Sequence, residues 1–194
     1  MELCLFNSTN SNEEFTTLAE YIERMKEGQD AIYYMTGESR AKIEESPHME
    51  SFLEKGYEVL ILADPVDEIW CQQVFKHKDF DFKSISKGAV ELGSEEEKKE
   101  AEEKRAEKEK EYKSLLECLK GKLEENVKEV RLSNRLTSSA ACLVTDGADL
   151  TPQLEQMMKQ MGQDVPTSKR ILELNPNHAI LTKLHDLFEA NAED

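Results

Sequence analysis

The chain has 194 residues, 38% of them apolar and 34% charged, with a formal net charge of −16. Residues 1–93 carry 19 acids and 9 bases, residues 94–113 carry 9 and 7, and residues 114–194 carry 13 and 9. No part is basic, so the clustered Lys and Arg that a nucleic-acid surface needs are missing and no nucleic-acid partner is expected. No apolar run of spanning length and no signal-peptide pattern occurs, which implies a cytoplasmic protein without a membrane role. Cys4, Cys71, Cys118 and Cys142 are scattered, without a CxxC pair or a His at ligand spacing. Neither a metal site nor a disulfide framework is expected.

In chain order, TTLAEYIERMKEG reads as a helix, with Thr17 and Glu20 as a capping box and Gly28 as its stop. Residues 31–35, 57–62 and 82–86 are short strand-like runs, with helical patterns between them at 39–55, broken at Pro47, and at 65–77. Asp64 before Pro65 supplies an N-cap and a first helical residue pre-set in φ. Strands separated by helices predict a small three-layer α/β/α domain with a short parallel sheet, over residues 1–93. Residues 94–113 are almost wholly charged, with acids three or four places before bases, and predict a helical connector. Tyr112, Leu115, Leu116, Leu119 and Leu123 then continue the same helix with an apolar face. Residues 114–194 predict a small α+β domain from VKEVRLS, AACLVTD, a methionine-bearing helix, RILELN and a last amphipathic helix carrying Ile180, Leu181, Leu184, Leu187 and Phe188.

Several stretches are candidates for chemistry. TGES at 36–39 follows a strand and opens a helix, where phosphates dock, yet it holds one glycine and no multi-glycine signature occurs, so turn chemistry is the stronger reading. Asp64, Asp67 and Glu68 lie at a strand end and are explained by N-capping and the helix dipole. His48, His77, His178 and His185 have no partners at triad spacing, so no nucleophilic catalysis is indicated. Trp70, the single tryptophan, reads first as a core anchor. Leu150, Leu154, Met157, Met158 and Met161 make one apolar stripe on a helix. Flexible thioethers suit such a stripe equally to a core or to varied partners.

FNST at 6–9, EYIERMKEGQDAIYYMTGES at 20–39, SPHMESFLEKGYEVLILADPVDEI at 46–69, VRLSNRLTSSAACLVTD at 130–146 and LELNPNHAIL at 172–181 closely resemble the ninety-kilodalton heat-shock chaperones, in particular the bacterial branch. The resemblance covers nearly the whole chain in the family's order. It implies that residues 1–93 correspond to the small end of the family's middle domain, 94–113 to its connection and 114–194 to a carboxy-terminal domain lacking its last, dimer-forming helices. It also implies a chaperone segment that binds unfolded or non-native clients through Leu150, Leu154, Met157, Met158 and Met161, with Trp70 as the middle-domain aromatic. The ATP-binding domain of the family is expected to be absent, so the chain is expected to be no enzyme and to take no cofactor, although ATP and magnesium serve the full-length family. The rival readings are a small nucleotide-binding α/β domain using TGES and Asp64, and a purely structural scaffold.

Overall fold

The computed structural model describes residues 3–89 and 92–190. A first lobe is built on a six-stranded sheet of order β2-β1-β4-β3-β6-β5, with β1 Phe6–Ser8, β2 Ser11–Thr16, β3 Ala31–Thr36, β4 Leu60–Leu62, β5 Lys76–His77 and β6 Phe80–Ser84. The α/β class expected from the alternating pattern is what forms. Its parallel core is β4-β3-β6. Two antiparallel hairpins, which the sequence pattern does not announce, widen it.

The continuous apolar run of β3 is explained by its place: all six residues are buried because helices cover both faces. Ala31, Tyr33 and Met35 face α2 (Arg40–Glu44), the single turn Pro47–Met49 and α3 (Glu50–Lys55), together with Ile43, Met49 and Phe52. Ile32 and Tyr34 face the opposite way, towards Leu18 and Tyr21 of α1 (Leu18–Glu23) and towards Cys71 and Trp70 at the end of α4 (Pro65–Trp70). The helix expected at 65–77 stops at Trp70 because the chain must turn back into the β5–β6 hairpin, where Lys78 takes φ 53°.

The charged segment forms α5, Glu95–Glu111, with none of its residues buried. Ser94 caps it in a reciprocal box with Glu97. The expectation that this helix runs on unbroken is corrected at Tyr112, where a new helix α6, Lys113–Lys122, begins. The reason is packing: Tyr112 and Leu115 are 5% and 2% exposed in the core of the second lobe, and a straight continuation of an all-polar helix would not deliver them there.

That lobe carries a three-stranded sheet of order β7-β9-β8: β7 Val127–Leu132, β8 Ala141–Val144 and β9 Arg170–Leu174. One face packs on α6 and α8 (Ala179–Ala190) through Leu115, Leu132, Leu174 and Leu181. The other buries Cys142, Val144, Ile171 and Leu136. The lobe docks at the carboxyl ends of the parallel strands of the first, and the backbones pair there: Thr145 donates to the Ser86 carbonyl at 3.1 Å and Gly88 donates to the Thr145 carbonyl at 2.9 Å. Among the described residues no helix is long and apolar enough to cross a membrane.

Candidate functional site

The methionine helix, α7, runs Pro152–Gln160. Thr151 caps it, accepting from the Leu154 amide at 3.2 Å, and Pro152 fills the first turn, where no backbone donor is needed. At the far end Gly162, at φ 78°, closes the helix while the amides of Met161 and Gln163 bond back to the carbonyls of Met157 and Met158.

The base of α7 is fixed. The Thr151 hydroxyl donates to Glu68 Oε2 at 2.6 Å, so the residue that caps α7 also ties it to α4. Glu155 is buried and accepts from Arg170 at 2.8 Å and from the Ser168 amide. The apolar stripe is therefore graded instead of uniform. Leu150 is half-buried, Leu154 is 7% exposed, Met157 and Met158 are half-buried, and Met161 stands out at 69%.

Met157 lines a cleft of about 330 Å³ between the lobes. Its other walls include Gly37 and Glu38 of the TGES turn, Asp64, Glu68 and the α7 glutamines Gln153 and Gln156. The cleft thus brings together the stretch weighed as a phosphate turn and the helix weighed as a binding face. Three carboxylates in its wall favour a cationic or apolar guest over a phosphate in this particular cleft.

Trp70 does not join this surface. Its ring stands edge-on to Phe82 at 5.7 Å and 6.1 Å from Phe6, and its Nε1 donates to Asp67 at 2.8 Å, so it is half-buried against the first lobe's core. Two residues along a helix is more than half a turn, so Trp70 points away from Glu68 and hence from α7. The apolar residues that α4 does expose are Val66 and Ile69, at 59% and 53%. They lie three apart on one face, and two apolar positions in a helix of six residues are too few to mark that face in the sequence.

A second set of residues, also unsignalled in the sequence, forms the junction of the lobes. Arg135 is 2% exposed; its Nε donates to Glu173 Oε2 at 2.9 Å, Nη1 to the Ile85 carbonyl at 2.5 Å and Nη2 to the Gly88 carbonyl. Glu173 also accepts from Ser133 at 2.8 Å and Arg131 at 2.7 Å. Burial works against its charge, but Arg135 and then Arg131 and Ser133 outweigh that and hold its carboxyl below the usual range. Nearby, Glu50 accepts from the amides of Thr137, Ser138 and Ser139 at 2.7, 2.9 and 3.1 Å and from the Ser139 hydroxyl. Those bonds overcome its desolvation and bring its carboxyl down to about 2.

The family profile described as Hsp90 protein matches residues 1–194. The chain is 57% identical over its full length to the "Chaperone protein HtpG" of Nocardia farcinica and 53% identical over its full length to that of Mycobacterium avium, spanning 30% of each. It is 53% identical to that of Streptomyces coelicolor over 94% of the chain and 28% of the relative. The chain thus spans less than a third of the curated relatives it matches. These matches correct two expectations, that the chain is no enzyme and that it takes no cofactor. Both rested on an ATP-binding part thought to be missing, whereas every residue aligns with a family whose members the resemblance describes as ATP-hydrolysing. The ground for both expectations falls away with that match. With the profile matched from the first residue to the last, the chain belongs to the Hsp90 family.

Proposed function

We propose that this chain is the part of an HtpG-type chaperone that holds non-native clients, and that α7 is its binding element. The observation that carries this reading is the gradient along α7: a buried Leu154, half-buried Met157 and Met158, the first of them lining a cleft, and Met161 open to solvent. Unbranched thioethers adapt to differing partners at little cost, which suits a surface that must take many sequences. Leu150 and Leu154 seat the helix, and Met157, Met158 and Met161 meet the client. Trp70, half-buried against the first lobe's core, is the aromatic contact of that lobe for clients, apart from the α7 surface. The net charge of −16 keeps such a surface soluble and favours basic clients. In the whole protein this binding is ATP-dependent, works in a cytoplasmic homodimer and serves protein folding under stress.

The reading is tested by a methyl-methionine NMR titration with an unfolded, non-aggregating polypeptide. Met157, Met158 and Met161 are expected to shift together while Met25 and Met35 stay still. Seven unmoved methionine signals would overturn it.

A further inference from the structure

Sulfur is unevenly placed in this chain. Met49 is 1% exposed and Met35 9%, both inside the first lobe, and Met25 packs half-buried against its core. Cys71 and Cys142 are buried, and burial pushes both thiols up to about 12, so neither is the reactive thiolate near neutrality. The opposite holds on α7. Met161 stands 69% exposed, with Met157 and Met158 half-buried beside it. Met161 lies four residues from Met157 and three from Met158, so it neighbours both on the helix surface.

A thioether, unlike a thiol, needs no proton loss to react. Its sulfur lone pair takes one oxygen from a peroxide: an S–O bond forms, the O–O bond breaks and sulfur gives up two electrons. The departing hydroxide collects the proton left on the transferred oxygen and leaves as water. The product is a polar sulfoxide that accepts hydrogen bonds and donates none. Met161 is the C-cap of α7, where the free backbone groups are carbonyls, so the new oxygen meets acceptors and no amide to bond. Lys159, the basic residue of the last turn, is already engaged with Thr167. An apolar guest laid over that face would bury the oxygen unpaired, which works against binding.

We propose that the methionine stripe of α7 is a reversible oxidation site that gates client binding: a peroxide converts Met161 first, then Met158 and Met157, to sulfoxides that make the apolar face polar. The base of the helix, held by buried Leu154 and by Thr151 on Glu68, stays seated, so the gate acts without unfolding α7. Reduction reverses it. Two thiols become a disulfide, the oxygen leaves as water and the thioether returns. The loss of binding rests on α7 being the client face, whereas the order of oxidation does not.

The test uses the whole chain and hydrogen peroxide. Peptide mass mapping of the folded chain should find oxygen on Met161 first, then on Met158 and Met157, with Met25 slower. Met35 and Met49 should react only when the first lobe opens. Affinity for an unfolded, non-aggregating polypeptide should fall about tenfold once Met161 and Met158 are oxidised. Dithiothreitol alone should not restore it, which separates sulfoxides from disulfides at Cys4 or Cys118. Dithiothreitol with methionine sulfoxide reductases for both epimers should restore it fully. Oxidation of Met35 or Met49 as fast as Met161 would overturn the proposal, as would rescue by dithiothreitol alone. A reduced chain that binds no polypeptide removes the client face itself and the gate with it, whereas equal binding before and after oxidation removes the gate alone.

Discussion

Leu154 and Met161 are seven residues apart on one helix face and have opposite jobs, which sets the sharpest contrast for mutation. Leu154→Ala should cost about 2–4 kcal/mol, because it empties a packed position, and is read from denaturant unfolding. Met161→Glu should leave the unfolding midpoint within about 0.5 kcal/mol of the parent, since it changes a side chain already in water. Client affinity should nevertheless fall about tenfold or more in a fluorescence titration with an unfolded polypeptide; unchanged affinity would remove Met161 from the binding face. Periodicity made the stripe legible from sequence but not its gradient, because a 3.6-residue repeat scores Leu154 and Met161 alike while only the neighbouring Glu68, Glu155 and Arg170 decide which end is tied down. Arg135 and Glu50 were illegible for a related reason. Each looks like a solvated charge in its own stretch, and each becomes structural only through partners at sequence separations of 50 and 87 residues.

At the scale of elements, the legible ones bury a strong local pattern. The six apolar residues of β3 and the Thr17–Glu20 box of α1 needed no tertiary knowledge. The β1–β2 hairpin was missed because β2, SNEEFT, is an edge strand exposed at most positions and shows no apolar alternation. The break at Tyr112 was missed because helix propensity carries straight through it, and only the core of the second lobe imposes the turn. α5 makes a further prediction at this scale. With no buried residue it depends on its cap and on pairs such as Lys104 with Glu100 and Lys98 with Glu95, which are worth a few tenths of a kcal/mol each. Ser94→Ala should therefore cost about 1 kcal/mol locally, seen as faster amide exchange in the first turn of α5 and not as a lower midpoint of the sheets. Molar salt should reproduce part of that effect by screening the pairs.

For the whole molecule, the junction decides whether two lobes unfold as one. Arg135→Ala takes from the Glu173 carboxylate, 3% exposed, the more deeply buried of its two cations, leaving Arg131, a loss of about 3 kcal/mol. Calorimetry should then resolve two transitions where the parent shows one, and a single unchanged transition would mean that the lobes are coupled elsewhere. Glu50 adds a pH signature. Its folded carboxyl is depressed to about 2, so its contribution is complete above its ordinary 4.5 and disappears only as the pH falls through that interval. Acid unfolding of Glu50→Gln should accordingly be flatter than the parent's between pH 4.5 and 2. The bond from Thr151 to Glu68 has a consequence for how α7 moves. A helix anchored at its first residue and free at its last behaves as a cantilever, whose tip travels furthest for the same bending energy. Methyl order parameters should decline steadily from Leu154 through Met157 to Met161, and guests of different thickness can then be admitted by flexing one beam while the hinge stays shut.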